Sequence, residues 1–206
     1  MRLIPNKLLK KFIIIKILGT LILGLFLTTQ IKANEIRDFQ IEGMSLYDSL
    51  LNYYNEEKIN SSDLGWWKGK EYKTVAIMDE KNFKDFEGLQ ISFKRNDSTY
   101  AIENIDAIKY LNIENCYEEF DQTEKVLDEL FSNAKKSKKY TYKHTADKTG
   151  ESKITDIVWT FPSGNLAIIA CYDWSNAFLA EKKGWGDHFR VTLSSKEFDE
   201  FAIENQ

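Results

Sequence analysis

Two histidines and two aspartates are the side chains of this sequence that could together hold a metal ion. His144 and His188 fall in two different predicted strands, and Asp173 and Asp187 are the carboxylates that would join them. A divalent metal on imidazole and carboxylate ligands activates water for hydrolysis. The set lacks the close His/Cys spacing typical of zinc sites, and His188 alternates with polar residues as on an exposed strand face. We therefore expect surface histidines, with a metal-assisted hydrolase as the alternative.

The two cysteines predict a disulfide bond. Cys116 and Cys171 are the only cysteines of the chain, and paired thiols are the rule in oxidising compartments. The alternative is two unlinked buried thiols. A regular four-residue turn at 162–165 would favour that alternative, because Cys171 would then lie on one face of the sheet and Trp159 on the other. No motif positions a histidine that would activate either thiol.

Tryptophans beside glycines are the candidate binding residues. Trp66 and Trp67 follow Gly65, Trp185 lies between two glycines, and Trp174 ends a predicted strand. Aromatic side chains in loops offer a large contact area at low entropic cost, so these four could line a ligand or partner surface. Packing beneath the loops is the competing interpretation. We assign no catalytic residue, metal ligand or cofactor, because no nucleophile elbow, phosphate loop or dinucleotide fingerprint is present.

Residues 1–33 predict a secretory signal peptide. Basic residues precede an apolar run from Phe12 to Leu27, and the small residue Ala33 follows it. Lys16 interrupts the run and leaves it too short to span a bilayer. No cysteine lies directly after the apolar run, so the lipid anchor of a bacterial lipoprotein has no attachment point. We expect cleavage after Ala33 and a soluble periplasmic or secreted product without a stable membrane anchor.

Charge narrows the classes of partner. The chain has 28 basic and 32 acidic residues. The charged residues of the leader are all basic, so its removal brings the net charge to about −10. A surface this acidic repels phosphates and anionic lipids, which excludes nucleic acid as an expected partner. The lysines of 135–139 form the one basic run, which we interpret as a solvated helix end.

Hydrophobic periodicity predicts one α+β domain over residues 34–206. The strands should form an antiparallel sheet, because hairpin-length connections join them. The pattern also suggests that a unit of one helix and three strands occurs twice. The predicted elements are a helix from Leu46 capped by Ser45, strands at 72–78, 89–94, 100–102, 140–144, 154–161, 166–174 and 188–193, a long helix at 113–134, and a closing helix capped by Ser194 or Ser195.

The long helix is expected to be the main core element. Phe120, Leu127 and Phe131 lie on its apolar stripe and should be largely buried against the sheet. Asp128 lies off the stripe, so we expect it to behave as an ordinary surface residue.

Two resemblances bear on function. The segments 39–51 and 170–175, the second reading Ala170-Cys171-Tyr172-Asp173-Trp174-Ser175, resemble uncharacterised small exported proteins of bacteria with AT-rich genomes. The order Gly43-Met44-Ser45 before a predicted helix is similar to the Gly-Met-Thr start of domains in outer-membrane assembly lipoproteins and β-lactamase inhibitor proteins. Those domains bind proteins, and the resemblance carries over no individual binding residue. The leading hypothesis is a non-enzymatic envelope protein that binds a protein partner or a small ligand.

Overall fold

The computed structural model describes residues 36–67, 69–78, 81, 83–182 and 185–205. The predicted signal peptide and its cleavage site lie outside these ranges. Within them, no helix has the length and apolar character needed to cross a membrane.

Eight strands form one antiparallel sheet, which confirms the α+β class. The strands are β1 (Tyr72–Met78), β2 (Gly88–Lys94), β3 (Ile102–Tyr110), β4 (Lys135–Lys136), β5 (Tyr140–Lys143), β6 (Lys153–Thr160), β7 (Leu166–Asp173) and β8 (His188–Ser194). Their order in the sheet is β1-β2-β3-β8-β7-β6-β4, and β5 also pairs with β6. The third strand of the first meander therefore pairs with the last strand of the second. This palindromic order is what two copies of a three-strand unit would give, although no residue-level repeat accompanies it.

Four α-helices accompany the sheet in the described ranges. They are α1 (Glu56–Ser61), α2 (Ile113–Leu130), α3 (Asn176–Glu181) and α4 (Lys196–Glu204). An Asn or Ser side chain caps the N-terminus of each. At α4 the Ser195 hydroxyl accepts a hydrogen bond from the Phe198 backbone N–H at 3.1 Å, as the sequence predicts.

The long helix packs against one face of the sheet, here called the covered face. Residues directly opposite each other on antiparallel strands share a face. On the covered face the central row is Val75, Ile91, Ile105, Leu193, Ala167 and Trp159. The predicted burial of Phe120, Leu127 and Phe131 is confirmed, since each is at most 2% exposed. This side therefore holds the main hydrophobic core.

The helix predicted from Leu46 is wrong. The Ser45 backbone N–H does donate to the Asp48 carboxylate at 3.0 Å, which is half of a capping box. However, Tyr47 has a φ of 70°, which is incompatible with a helix, and its N–H donates to the Ile102 carbonyl at 2.8 Å. Leu46 is buried by this pairing with the start of β3. Tertiary contact therefore replaces the local helix.

The turn between β6 and β7 decides the face on which Cys171 lies. The Gly164 N–H donates to the Phe161 carbonyl, and the Phe161 N–H donates to the Asn165 carbonyl, each at 2.9 Å. Gly164 has a φ of +88°, the left-handed conformation that closes such a turn with a bulge. Between the paired residues Phe161 and Asn165 the turn has three residues, 162–164, one fewer than the regular four-residue turn considered from sequence. Because one residue of register exchanges the faces of a strand, Cys171 points to the covered face.

The predicted disulfide is present. Cys116 of α2 and Cys171 of β7 are bonded, with Cα atoms 5.9 Å apart. The bond links the main helix to the sheet, and the described residues contain no free cysteine.

The basic run at 135–139 is not a helix end. It follows α2 and folds back beside it, where Lys136 pairs with Glu124 at 2.7 Å and Lys139 pairs with Asp121 at 2.7 Å. The run therefore neutralises acidic residues along the side of α2 rather than complementing its C-terminus.

Candidate ligand-binding site on the open sheet face

The second face of the sheet, here called the open face, is mostly polar. The helix α4 covers its β1 end, where Tyr72 lies 4.6 Å from Phe201 between ring centroids. Farther along the sheet the side chains include Asn104, Asp106, Asp156, Tyr172, His188, Arg190, Thr192 and Ser194. Polar groups this well sheltered usually have a structural or a binding role.

A cavity of about 180 Å³ lies between α4 and the open face. This volume is below the roughly 300 to 1,000 Å³ of pockets that hold drug-sized molecules, so it suits a small occupant. Its polar walls are Asn104, Asp106, Tyr142, Asp156, Tyr172, Arg190, Thr192, Ser194 and Asp199, and its apolar walls are Ile168, Ala170, Phe198 and Ala202.

Among the described residues, Arg190 is the only basic one that lines this cavity. Its guanidinium carbon lies 4.2 Å from the centroid of the Tyr172 ring. Among the described residues no carboxylate forms an ion pair with it, and its Nε is buried without a hydrogen-bond partner. Burial is the largest influence on the pKa of Arg190 and lowers it, but nearby groups such as Tyr172 and Asp106 outweigh it, so the pKa lies above its ordinary value. The side chain is a partly buried cation that stacks on Tyr172.

Three carboxylates share the cavity with Arg190, and they differ in their partners. Asp106 accepts hydrogen bonds from Thr192 and Asn104. Asp156 accepts one from the Tyr142 hydroxyl at 2.8 Å, and burial raises the pKa of its carboxyl group.

Asp199 is the third carboxylate and extends from α4. Burial, followed by the neighbouring Glu200, raises its pKa. Its carboxylate accepts no hydrogen bond from the part of the chain that the structure describes. Arg190 and Asp199 therefore line one cavity as opposite charges, and neither forms an ion pair with another described residue.

An aromatic cluster flanks the open face beyond Tyr172. Trp174 lies 4.4 Å from His144, 4.5 Å from Phe178 and 4.9 Å from Trp185 between ring centroids. Trp174 is 4% exposed, whereas Trp185 is 46% exposed. Of the four tryptophans singled out from sequence, the structure brings these two together.

The other two tryptophans lie at the β1 edge. Trp67 packs on Phe201 at 5.2 Å, and its indole N–H donates to Thr74 at 2.8 Å. Trp66, which precedes Trp67 in the sequence, is 52% exposed. Four steps of strand order separate β1 from β7, so the four residues form two clusters rather than one surface.

The histidines lie in the aromatic cluster rather than on the surface expected for them. His188 is 5% exposed and stacks on Tyr172 at 4.4 Å, because the end of the open face around it is covered by aromatic rings. Its Nδ1 donates to the Gly186 carbonyl at 2.9 Å, and its Nε2 is buried without a partner. Burial, followed by the charge of Arg190, lowers the pKa of His188 to about 3.

The proposed metal ligands do not form a ligand set. Asp187 accepts a hydrogen bond from the Trp174 backbone N–H at 2.8 Å. The described residues contain no group of three His, Cys, Asp or Glu side chains that could hold a metal ion.

The cavity itself was not predicted from sequence. In the sequence nothing distinguishes Arg190 from the other polar residues of its strand, or Asp199 from the other acidic residues of its helix. The available signal was the alternation of His188, Arg190 and Thr192, which predicts a polar strand face but not what covers it.

Comparison with known proteins gives no relative: no family model, no curated protein and no solved structure matches the chain.

Proposed function

We propose that this chain is an exported, non-enzymatic binding protein that holds a small ligand in the cavity on the open face. The observation that carries the proposal is the unpaired guanidinium of Arg190. Arg190 is partly exposed and lines the cavity, and its side chain forms no ion pair or hydrogen bond with the described residues, so its guanidinium has donors available for an anionic ligand group. A ligand group bound at Arg190 would supply the missing partner.

The chemistry of Arg190 favours binding over catalysis. A guanidinium stays protonated at neutral pH and offers donors in a fixed fork, which suits recognition of an anionic group rather than proton transfer. The metal-assisted hydrolase considered from sequence has no set of metal ligands among the described residues. Stoichiometric zinc or manganese in the purified protein, lost on His144→Ala, would support that enzyme instead.

Export is supported by the leader and by the disulfide. A bond between Cys116 and Cys171 is compatible with an oxidising compartment. We predict that mass spectrometry of the mature protein from the envelope or medium gives Asn34 as the first residue. A product that retains Met1 in the membrane fraction would contradict this prediction.

The binding proposal is tested with Arg190→Gln. Thermal-shift screening of the purified protein against a library of small charged metabolites should give hits that Arg190→Gln loses. Lys125→Gln is the matched control, because Lys125 is exposed on α2, on the covered side of the sheet. The Arg190 side chain has no hydrogen bond to the described residues but stacks on Tyr172, so we expect its replacement to lower the free energy of unfolding by about 1 to 2 kcal/mol and to leave the protein folded. Hits that both variants retain would contradict the proposal.

A protein partner is the second candidate, favoured by the edge strand β5. Its four residues are exposed, and Tyr140 and Tyr142 stack with ring centroids 5.9 Å apart. Exposed strand edges bind partners by adding a strand. A photo-crosslinking residue at position 140 should then give a discrete adduct in the native envelope, and one at position 125 should not.

A further inference from the structure

The charges of the cavity indicate which class of small molecule it takes, an inference that rests on the proposed function. Arg190 would bind a carboxylate through two parallel N–H···O bonds. A ligand with only negative charge would, however, also meet Asp106, Asp156 and Asp199 across the same small space. One cation against three acidic groups disfavours a simple anion such as phosphate.

The acidic groups are not equivalent, and their differences locate a second contact. Asp106 is occupied by two protein donors, and Asp156 by one. Asp199 has no described donor, and burial raises its pKa, which a bound cation would reverse. The α4 side of the cavity is therefore suited to a positively charged group.

The remaining walls are apolar. Ile168 and Ala170 of β7 face the cavity from the sheet, and Phe198 and Ala202 face it from α4. A ligand that pairs with both charged groups would place its remaining atoms against these side chains, and they offer no hydrogen bonds to a polar substituent.

We propose that the cavity binds a small zwitterion, an α-amino acid with an apolar side chain. Its carboxylate pairs with Arg190, its ammonium group with Asp199, assisted by Asp156, and its side chain packs against Ile168 and Phe198. Both charged walls border a cavity of about 180 Å³, so one small molecule reaches them together.

The test uses matched probes by isothermal titration calorimetry on the mature, disulfide-bonded protein. L-Alanine, L-valine and L-leucine are the zwitterions. 4-Methylpentanoate lacks the ammonium group of leucine, and 3-methylbutylamine lacks its carboxylate. At least one zwitterion should bind the protein. Both truncated probes should bind the protein at least tenfold more weakly than the best zwitterion does.

Three variants assign the contacts. Arg190→Gln and Asp199→Asn should each weaken the best zwitterion at least tenfold, whereas Lys125→Gln should leave its affinity unchanged. Circular dichroism and melting temperature establish that each variant is folded. Binding that both cavity variants retain would overturn the inference.

Failure of the inference and failure of the proposed function give different results. If 4-methylpentanoate binds as tightly as leucine and Arg190→Gln abolishes it, the binding function stands and the zwitterion is wrong. If no amino acid binds, the zwitterion is also wrong, and the Arg190-dependent library screen alone decides the function. If that screen gives no Arg190-dependent hit, both fail.

Discussion

Arg190 and His188 stand two residues apart on β8 and face the same side of the sheet. The two side chains differ in how the fold treats their charge. His188 is held neutral by burial and by the nearby guanidinium, whereas Arg190 stays charged beside Tyr172. A buried neutral histidine lowers the stability of the folded state in acid, because the unfolded chain binds a proton that the folded chain does not bind.

At the residue scale we predict a loss of stability in acid that depends on His188. The unfolded histidine binds a proton below about pH 6.5, and the folded one only near pH 3. Stability should therefore fall as the pH drops through this window, by about 2 kcal/mol from this residue by pH 5. Denaturant unfolding at pH 7 and pH 5 should show a smaller acid loss for His188→Gln than for the natural protein. The raised pKa values of Asp156 and Asp199 act in the opposite direction in both proteins and so cancel in the comparison.

At the scale of elements, α2 carries the core. Its stripe was read from apolar spacing alone, and the structure buries the same residues against the covered face. Leu127→Ala should cost about 2 to 5 kcal/mol of unfolding free energy, the range for a buried leucine that leaves a cavity. Lys125→Ala, two residues away on the exposed side, should change it by no more than about 0.5 kcal/mol. Equal small losses in denaturant titrations would mean that α2 is not packed as described.

Asp128 shows what the stripe alone did not reveal. It lies off the stripe and is partly exposed, yet it accepts a hydrogen bond from the indole N–H of the buried Trp159 at 3.1 Å and pairs with Lys136 at 2.6 Å. We now expect Asp128→Ala to cost about 1 to 2 kcal/mol, because it leaves the indole N–H without its partner. A denaturant titration with a loss below about 0.5 kcal/mol would restore the surface interpretation.

At the scale of the whole molecule, the disulfide ties α2 to the sheet across 55 positions of sequence. In the loop-entropy model, closing a loop of this length stabilises the folded state by about 4 kcal/mol. Reduction should therefore lower the denaturation midpoint of the natural protein clearly. The same reductant should not affect a Cys116→Ser/Cys171→Ser double variant. Ellman titration of the unreduced, denatured natural protein should find no free thiol.

The sequence by itself determined the features that depend on neighbours within a turn or two of chain. The spacing of apolar residues placed α2 and most strands, and Ser194 or Ser195 marked the start of α4. Cysteine scarcity with an export leader favoured the Cys116–Cys171 bond. Each of these signals is local or compositional, so no knowledge of distant contacts was needed.

Only the tertiary structure decided the features that depend on residues distant in sequence. The segment at Leu46 is not helical because its backbone pairs with Ile102, and Cys171 lies on the covered face because the turn closed by Gly164 has three residues instead of four. The cavity exists because α4 packs over one end of the open face and brings Asp199 to the same space as Arg190. An alternating strand pattern shows that one face is polar, but not which part of that face another element covers, because that choice depends on packing between segments far apart in the chain.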